Sequence, residues 1–102
     1  MMRFNNPYYV KRGQYIERRV ILFREVNSRV RYYSLHLCMT LFGEYLLIKE
    51  NGSIKNKKPT RVVKEYFQTL TQAMDSYSAK LQEKTKRGYS LEGKNMAMRK
   101  LI

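Results

Sequence analysis

The chain has 102 residues, 43% of them hydrophobic and 28% charged, which leaves room for one core and excludes a second domain. Lys and Arg number 21 against 8 Asp and Glu, a net charge of +13 that biases partners toward polyanions. The single cysteine, Cys38, excludes an internal disulfide and a cysteine metal cluster.

The excess of cations is spread along the chain, and nucleic acid, an anionic membrane or an acidic protein would each satisfy it. A well-solvated basic surface with no specific partner is the ordinary alternative. The N-terminal stretch MMRFNNPYYVKRGQ has no apolar run of the signal-peptide kind. Val20-Ile21-Leu22-Phe23 falls far short of the roughly 20 residues that span a bilayer. The expectation is a cytoplasmic protein with no membrane partner.

Residues 1–15 mix Asn, Pro, Tyr, Lys, Arg and Gly without periodicity and read as a basic, aromatic arm. Tyr8, Tyr9 and Tyr15 beside Arg3, Lys11 and Arg12 suit single-stranded nucleic acid, and suit equally well a cover over the sheet. The domain itself is expected over residues 16–89. Arg19–Arg24 is short, β-branched and bounded by charge, the pattern of a first strand. Asn27-Ser28 supplies turn chemistry. In Arg31–Cys38, alternation predicts Tyr33, Leu35 and Leu37 on one face and Tyr32, Ser34 and His36 on the other.

A third strand is expected over residues 44–49, followed by Asn51-Gly52 as a type I′ hairpin turn, whose two central residues both need positive φ. Lys55-Asn56-Lys57-Lys58-Pro59 reads as a basic loop and Arg61–Phe67 as a further strand. The one long helix begins near Thr69, where Thr69 and Gln72 stand at capping-box spacing. Ala73, Met74, Tyr77 and Leu81 make its apolar stripe, Lys84, Lys86 and Arg87 complement its C-terminal dipole, and Gly88 caps it. Residues 90–102 form a basic tail. The fold class predicted is α+β: a twisted antiparallel sheet of about four to five strands against one C-terminal α-helix.

Five cations, Lys49, Lys55, Lys57, Lys58 and Arg61, gather around the expected Asn51-Gly52 turn, the best candidate site for phosphates. Lys84, Lys86 and Arg87 are a second candidate, with dipole complementation as the plainer explanation. His36 and Cys38 read as structural, Cys38 as a small buried apolar group. No Gly-rich phosphate loop, paired carboxylates or metal-ligand spacing occurs, so the reading holds no catalytic residue, cofactor or metal.

The stretch from about Arg18 to Tyr89 resembles a WGR domain, the module of DNA-dependent poly(ADP-ribose) polymerases that also occurs as small stand-alone bacterial proteins. Asn27 followed by Arg31-Tyr32-Tyr33-Ser34-Leu35-His36-Leu37 is similar to the family's aromatic-rich second strand. Thr40-Leu41-Phe42-Gly43 with Glu44–Glu50 resembles the Leu-Phe-Gly segment and third strand of bacterial members, and Lys84–Tyr89 the Lys-rich, Gly-Tyr ending. The resemblance implies a sheet packed on one helix and, in the polymerases, a part in sensing DNA breaks, with the tripeptide's Trp on the nucleic-acid backbone. Here the tripeptide reads Asn51-Gly52-Ser53, and Trp is absent from the chain. The function expected is nucleic-acid binding, DNA ahead of RNA and through ends or single strands, with Asn51 and Ser53 replacing the lost pair as hydrogen-bonding groups. The alternative is an adaptor that docks an acidic partner protein.

Overall fold

The computed structural model describes residues 17–91. Four strands follow in chain order, β1 (Arg18–Val26), β2 (Arg29–Met39), β3 (Tyr45–Ser53) and β4 (Arg61–Phe67), and then the helix α1 (Leu70–Lys86). The sheet is an antiparallel meander in the order β1-β2-β3-β4, as the α+β reading expects. The readings of the arm over 1–15 and of the tail beyond Leu91 lie outside the described residues.

Period-two alternation decides the core. Leu22, Tyr33, Leu35, Leu37 and Leu47 all point to the helix side, and Leu35, Leu37 and Leu47 have no exposed surface. Ala73 and Tyr77, four apart on α1, close over them, with Met74 and Leu81 packed alongside. The helix starts where the sequence places it. Thr69 has extended backbone (φ −124°, ψ 151°), and its hydroxyl accepts the Gln72 N–H at 3.2 Å. It stops in a Schellman motif: Gly88 takes φ 98°, its N–H reaches Thr85 O (3.1 Å), and the Tyr89 N–H reaches Lys84 O (3.0 Å). That turn drives Tyr89 back into the core against Tyr33, edge to face at 6.2 Å. Ser90 then bridges to Phe23 on the β1 edge.

The hairpin reading of Asn51-Gly52 is overturned. Both residues lie within β3, opposite Tyr33 and Tyr32, and β3 runs on to Ser53. The type I′ turn is instead Asn27-Ser28, with φ 52° and 66°, joining β1 to β2. Gly52 is required for a different reason, close approach of neighbouring backbone. A Cβ there would stand 3.1 Å from Thr60 N and 3.3 Å from both Pro59 Cα and Tyr32 Cε2. The chain reverses beyond it, through Ile54–Thr60, where the Asn56 N–H closes on Ser53 O and the Thr60 N–H on Asn51 O.

Two smaller readings also change. Cys38 is partly exposed on the face away from the helix, because it is in phase with His36 rather than with Leu37. Partial burial, with Glu17 nearby, pushes its thiol pKa up. His36 has a carboxylate partner that sequence spacing does not reveal, Glu17 Oε2 at 2.7 Å from Nε2, 19 residues earlier in the chain.

Candidate nucleic-acid interface

Strand register sorts the charges by face. Arg18, Arg24, Arg29, Arg31, Lys49 and Arg61 fall in phase with the core residues on the helix side, where Glu65 is the only strand carboxylate. The opposite face carries Arg19 and Lys64 against Glu25 and Glu50. Basic charge is thus concentrated where the sheet runs out beyond the end of α1.

Two concavities lie there. The first, a cleft of about 410 Å³, opens between β3–β4 and the C-terminal half of α1. Tyr33, Lys49 and Asn51 line its sheet side with Arg61, and Lys80, Glu83 and Lys84 line its helix side. Lys80 and Lys84 stand four residues apart on α1 and therefore share one side of it. The second, a groove of about 770 Å³, lies between the Asn27-Ser28 turn and the Ile54–Thr60 loop, with Arg29, Arg31, Ser53 and Lys55 in its wall. The two adjoin on successive rungs of the sheet, Tyr33 opposite Asn51 and Arg31 opposite Ser53.

The carboxylates of the first cleft are already engaged. Glu65 holds Lys49 (3.0 Å) and accepts the Ser76 hydroxyl (3.4 Å). Glu83 holds Lys80 (2.9 Å), with Lys84 and Arg87 farther off at 3.9 and 3.7 Å. The Lys80 hydrogen bond, ahead of the surrounding positive charge, draws the Glu83 carboxyl below its usual pKa, so it stays ionised. Among the described residues, Arg29, Arg31, Lys55 and Arg61 have no carboxylate in ion-pair range.

Lys84 lies 4.6 Å above the Tyr33 ring and 5.9 Å from that of Tyr89, a cation–π arrangement that fixes its ammonium in the cleft. Burial lowers its pKa, with Glu83 pulling the other way. The Tyr33 hydroxyl moves the other way, pushed up to about 12 by burial first and by Glu83 and Glu65 next. It therefore remains a neutral hydrogen-bond donor across the physiological range. A hydroxyl donor, an amide from Asn51 and several ammonium and guanidinium groups around one concavity form an anion-binding arrangement.

The structure brings together only some of the residues expected from sequence. Asn51 and Arg61 line the first cleft, and Ser53 and Lys55 the second groove. Ser53 Oγ also accepts the Lys55 N–H (3.3 Å). Lys49 is in the first cleft, but half-buried and paired with Glu65. Gly52 is buried beneath Pro59 and Thr60 and offers no contact surface. Lys57 and Lys58 are exposed on the loop beside the concavities rather than in their walls, and Lys86 and Arg87 are exposed at the helix end.

Missed from sequence were Tyr33, Arg29, Arg31 and Lys80 as wall residues, while Lys84 of the second candidate group lines the first cleft. The phase of Arg31 with Tyr33, and the i, i+4 spacing of Lys80 and Lys84, were the available signals.

A model of the WGR domain matches residues 18–96, spanning all four strands and the helix. The chain belongs to the WGR family. WGR domains are in general nucleic-acid-binding modules. No curated protein and no solved structure matches this one. In this WGR domain the tripeptide position is the end of β3, with Asn51 opening into one concavity and Ser53 into the other.

Proposed function

We propose that this WGR domain binds nucleic acid, DNA ahead of RNA, by laying the phosphate backbone along the two adjoining concavities, with no catalytic step. The observation that carries the reading is the run of Arg29, Arg31, Lys55 and Arg61, free of carboxylate partners among the described residues, continuing into Lys80 and Lys84. Ammonium and guanidinium groups neutralise phosphates and release their counterions, which makes binding sequence-tolerant and salt-sensitive. Asn51 and Ser53 supply hydrogen bonds where the family's Trp and Arg would stand, so backbone contact replaces stacking as the dominant interaction. Lys57 and Lys58 extend the positive field from the neighbouring loop. A cytoplasmic setting belongs to the same proposal.

The test is fluorescence anisotropy with labelled duplex DNA, single-stranded DNA and RNA. Each charge-assisted contact is worth about 1.5 kcal/mol, roughly tenfold in affinity. The double variant Arg31→Glu/Arg61→Glu is expected to lose about a hundredfold on that basis, and Lys57→Glu/Lys58→Glu less. A loop double variant that binds more weakly than the Arg31/Arg61 one would move the interface out of the concavities.

A further inference from the structure

The two edges of the sheet are treated differently. On β1 the chain closes its own edge: Ser90 N–H donates to Phe23 O (2.9 Å), and Ser90 O accepts from Phe23 N–H (3.0 Å). β4 pairs with β3 through all seven of its residues without a bulge, and its other edge has no strand partner among the described residues. A regular edge of this kind is a template for another extended segment.

The side chains on β4 define which segment fits. Away from the helix, Val62 and Tyr66 are exposed (45% and 57%) and flank Lys64. On the helix side Arg61 is exposed at the cleft, and Lys80 faces it from α1. The only acid on the strand, Glu65, is held by Lys49 and Ser76. A strand laid beside β4 would present alternate side chains to these two sides. Apolar residues would cover Val62 and Tyr66 on one side, and carboxylates would meet Arg61 and Lys80 on the other.

Lys64 adds selectivity. A second copy pairing β4 to β4 with Lys64 at its centre would set like charges opposite each other. An alternating segment, whose apolar side faces Val62 and Tyr66, sets no like charge against it.

We propose that β4 is a docking edge for an extended acidic segment of a partner protein, in which carboxylates alternate with apolar residues, added as a fifth strand. Main-chain hydrogen bonds supply the affinity and the alternation supplies the specificity, as in other strand-addition complexes. The segment would share Arg61 and Lys80 with the proposed phosphate path, and its binding is measured without nucleic acid so that the two readings fail separately.

The probe is a labelled peptide of alternating Glu and Val, titrated into the full chain. A block peptide of the same composition, Glu residues first and Val residues second, is the comparison. The alternating peptide is expected to bind at least tenfold more tightly, and to slow hydrogen exchange at the amides of residues 61–67. Arg61→Glu, an exposed substitution that leaves the core untouched, is expected to weaken it severalfold. N-methylation of the peptide backbone is expected to abolish binding, because it removes the donors a ladder needs. Equal affinity for the block peptide, protection centred elsewhere than 61–67, or binding that survives N-methylation would each overturn the proposal.

Discussion

Gly52→Ala probes the packing that joins the two concavities. The added methyl would meet Thr60 N at 3.1 Å and Pro59 Cα and Tyr32 Cε2 at 3.3 Å. Two of the three neighbours are backbone, and the loop they belong to is held to β3 by the Thr60 N–H to Asn51 O bond at 2.8 Å. Relief therefore requires the Ile54–Thr60 loop to lift by a few tenths of an ångström, or Tyr32 to turn away. Overpacking of this kind costs about 1–3 kcal/mol. Against it stands a gain of about 0.4–1 kcal/mol, because alanine has fewer unfolded conformations to lose than glycine. The net expectation is a loss of about 1–2 kcal/mol, or about 5–15 °C in Tm for a domain of this size. Urea unfolding followed by circular dichroism measures it. Because the loop carries Lys55 into the second groove, nucleic-acid affinity should fall as well. If alanine is neutral or stabilising, Gly52 is not held by close approach, and the account of β3 running beneath the loop is wrong.

Other predictions follow from single features. Ser28 sits at φ 66°, a conformation that disfavours a side chain, so Ser28→Gly is expected to stabilise the β1–β2 turn by about 0.5–1 kcal/mol in thermal unfolding. Removing the Thr69 cap with Thr69→Ala should cost about 1 kcal/mol by the same measurement. The raised pKa of Tyr33 fixes the sign of an alkaline effect. The folded state keeps the proton that the unfolded chain releases near pH 10, so this stabilisation is complete below pH 10 and is lost as pH rises through about 12. Urea titrations should show an alkaline decline of order 2 kcal/mol that is smaller in Tyr33→Phe, and an identical decline in the two proteins would refute the assignment.

Much of the architecture was legible because it follows from short-range rules. Alternation in Arg31–Cys38 gave the buried face of β2, and Thr69, Ala73, Tyr77 and Gly88 gave the start, face and end of the helix. The Asn51-Gly52 reading failed because a good turn dipeptide was overridden by tertiary pairing. β3 gains more by extending opposite Tyr32 and Tyr33 than by turning early, and the glycine is needed for closeness instead of for φ. The candidate site was only half legible for a related reason. Clustering in sequence picked out Lys57 and Lys58, whereas the concavities draw their walls from β2, β3, β4 and α1. Arg31 and Lys84 are 53 positions apart and meet at one interface only because Tyr33 carries Lys84 on its ring. The partnership of Lys49 with Glu65, which removes a cation from the count, is likewise a product of register.

The central claim is that phosphate neutralisation along these concavities governs binding, and the most direct test is the salt dependence of affinity for a labelled DNA duplex. Arg29, Arg31, Lys55 and Arg61 line the proposed path without a carboxylate partner among the described residues, and Lys80 and Lys84 line it beside Glu83. Engagement of the four gives a slope of log affinity against log salt of about −4, and of about −5 if both lysines also leave Glu83 for phosphate. A linear dependence in that range, made shallower by Arg31→Glu/Arg61→Glu, is the predicted result. A slope near zero, or no binding at low salt, would contradict it.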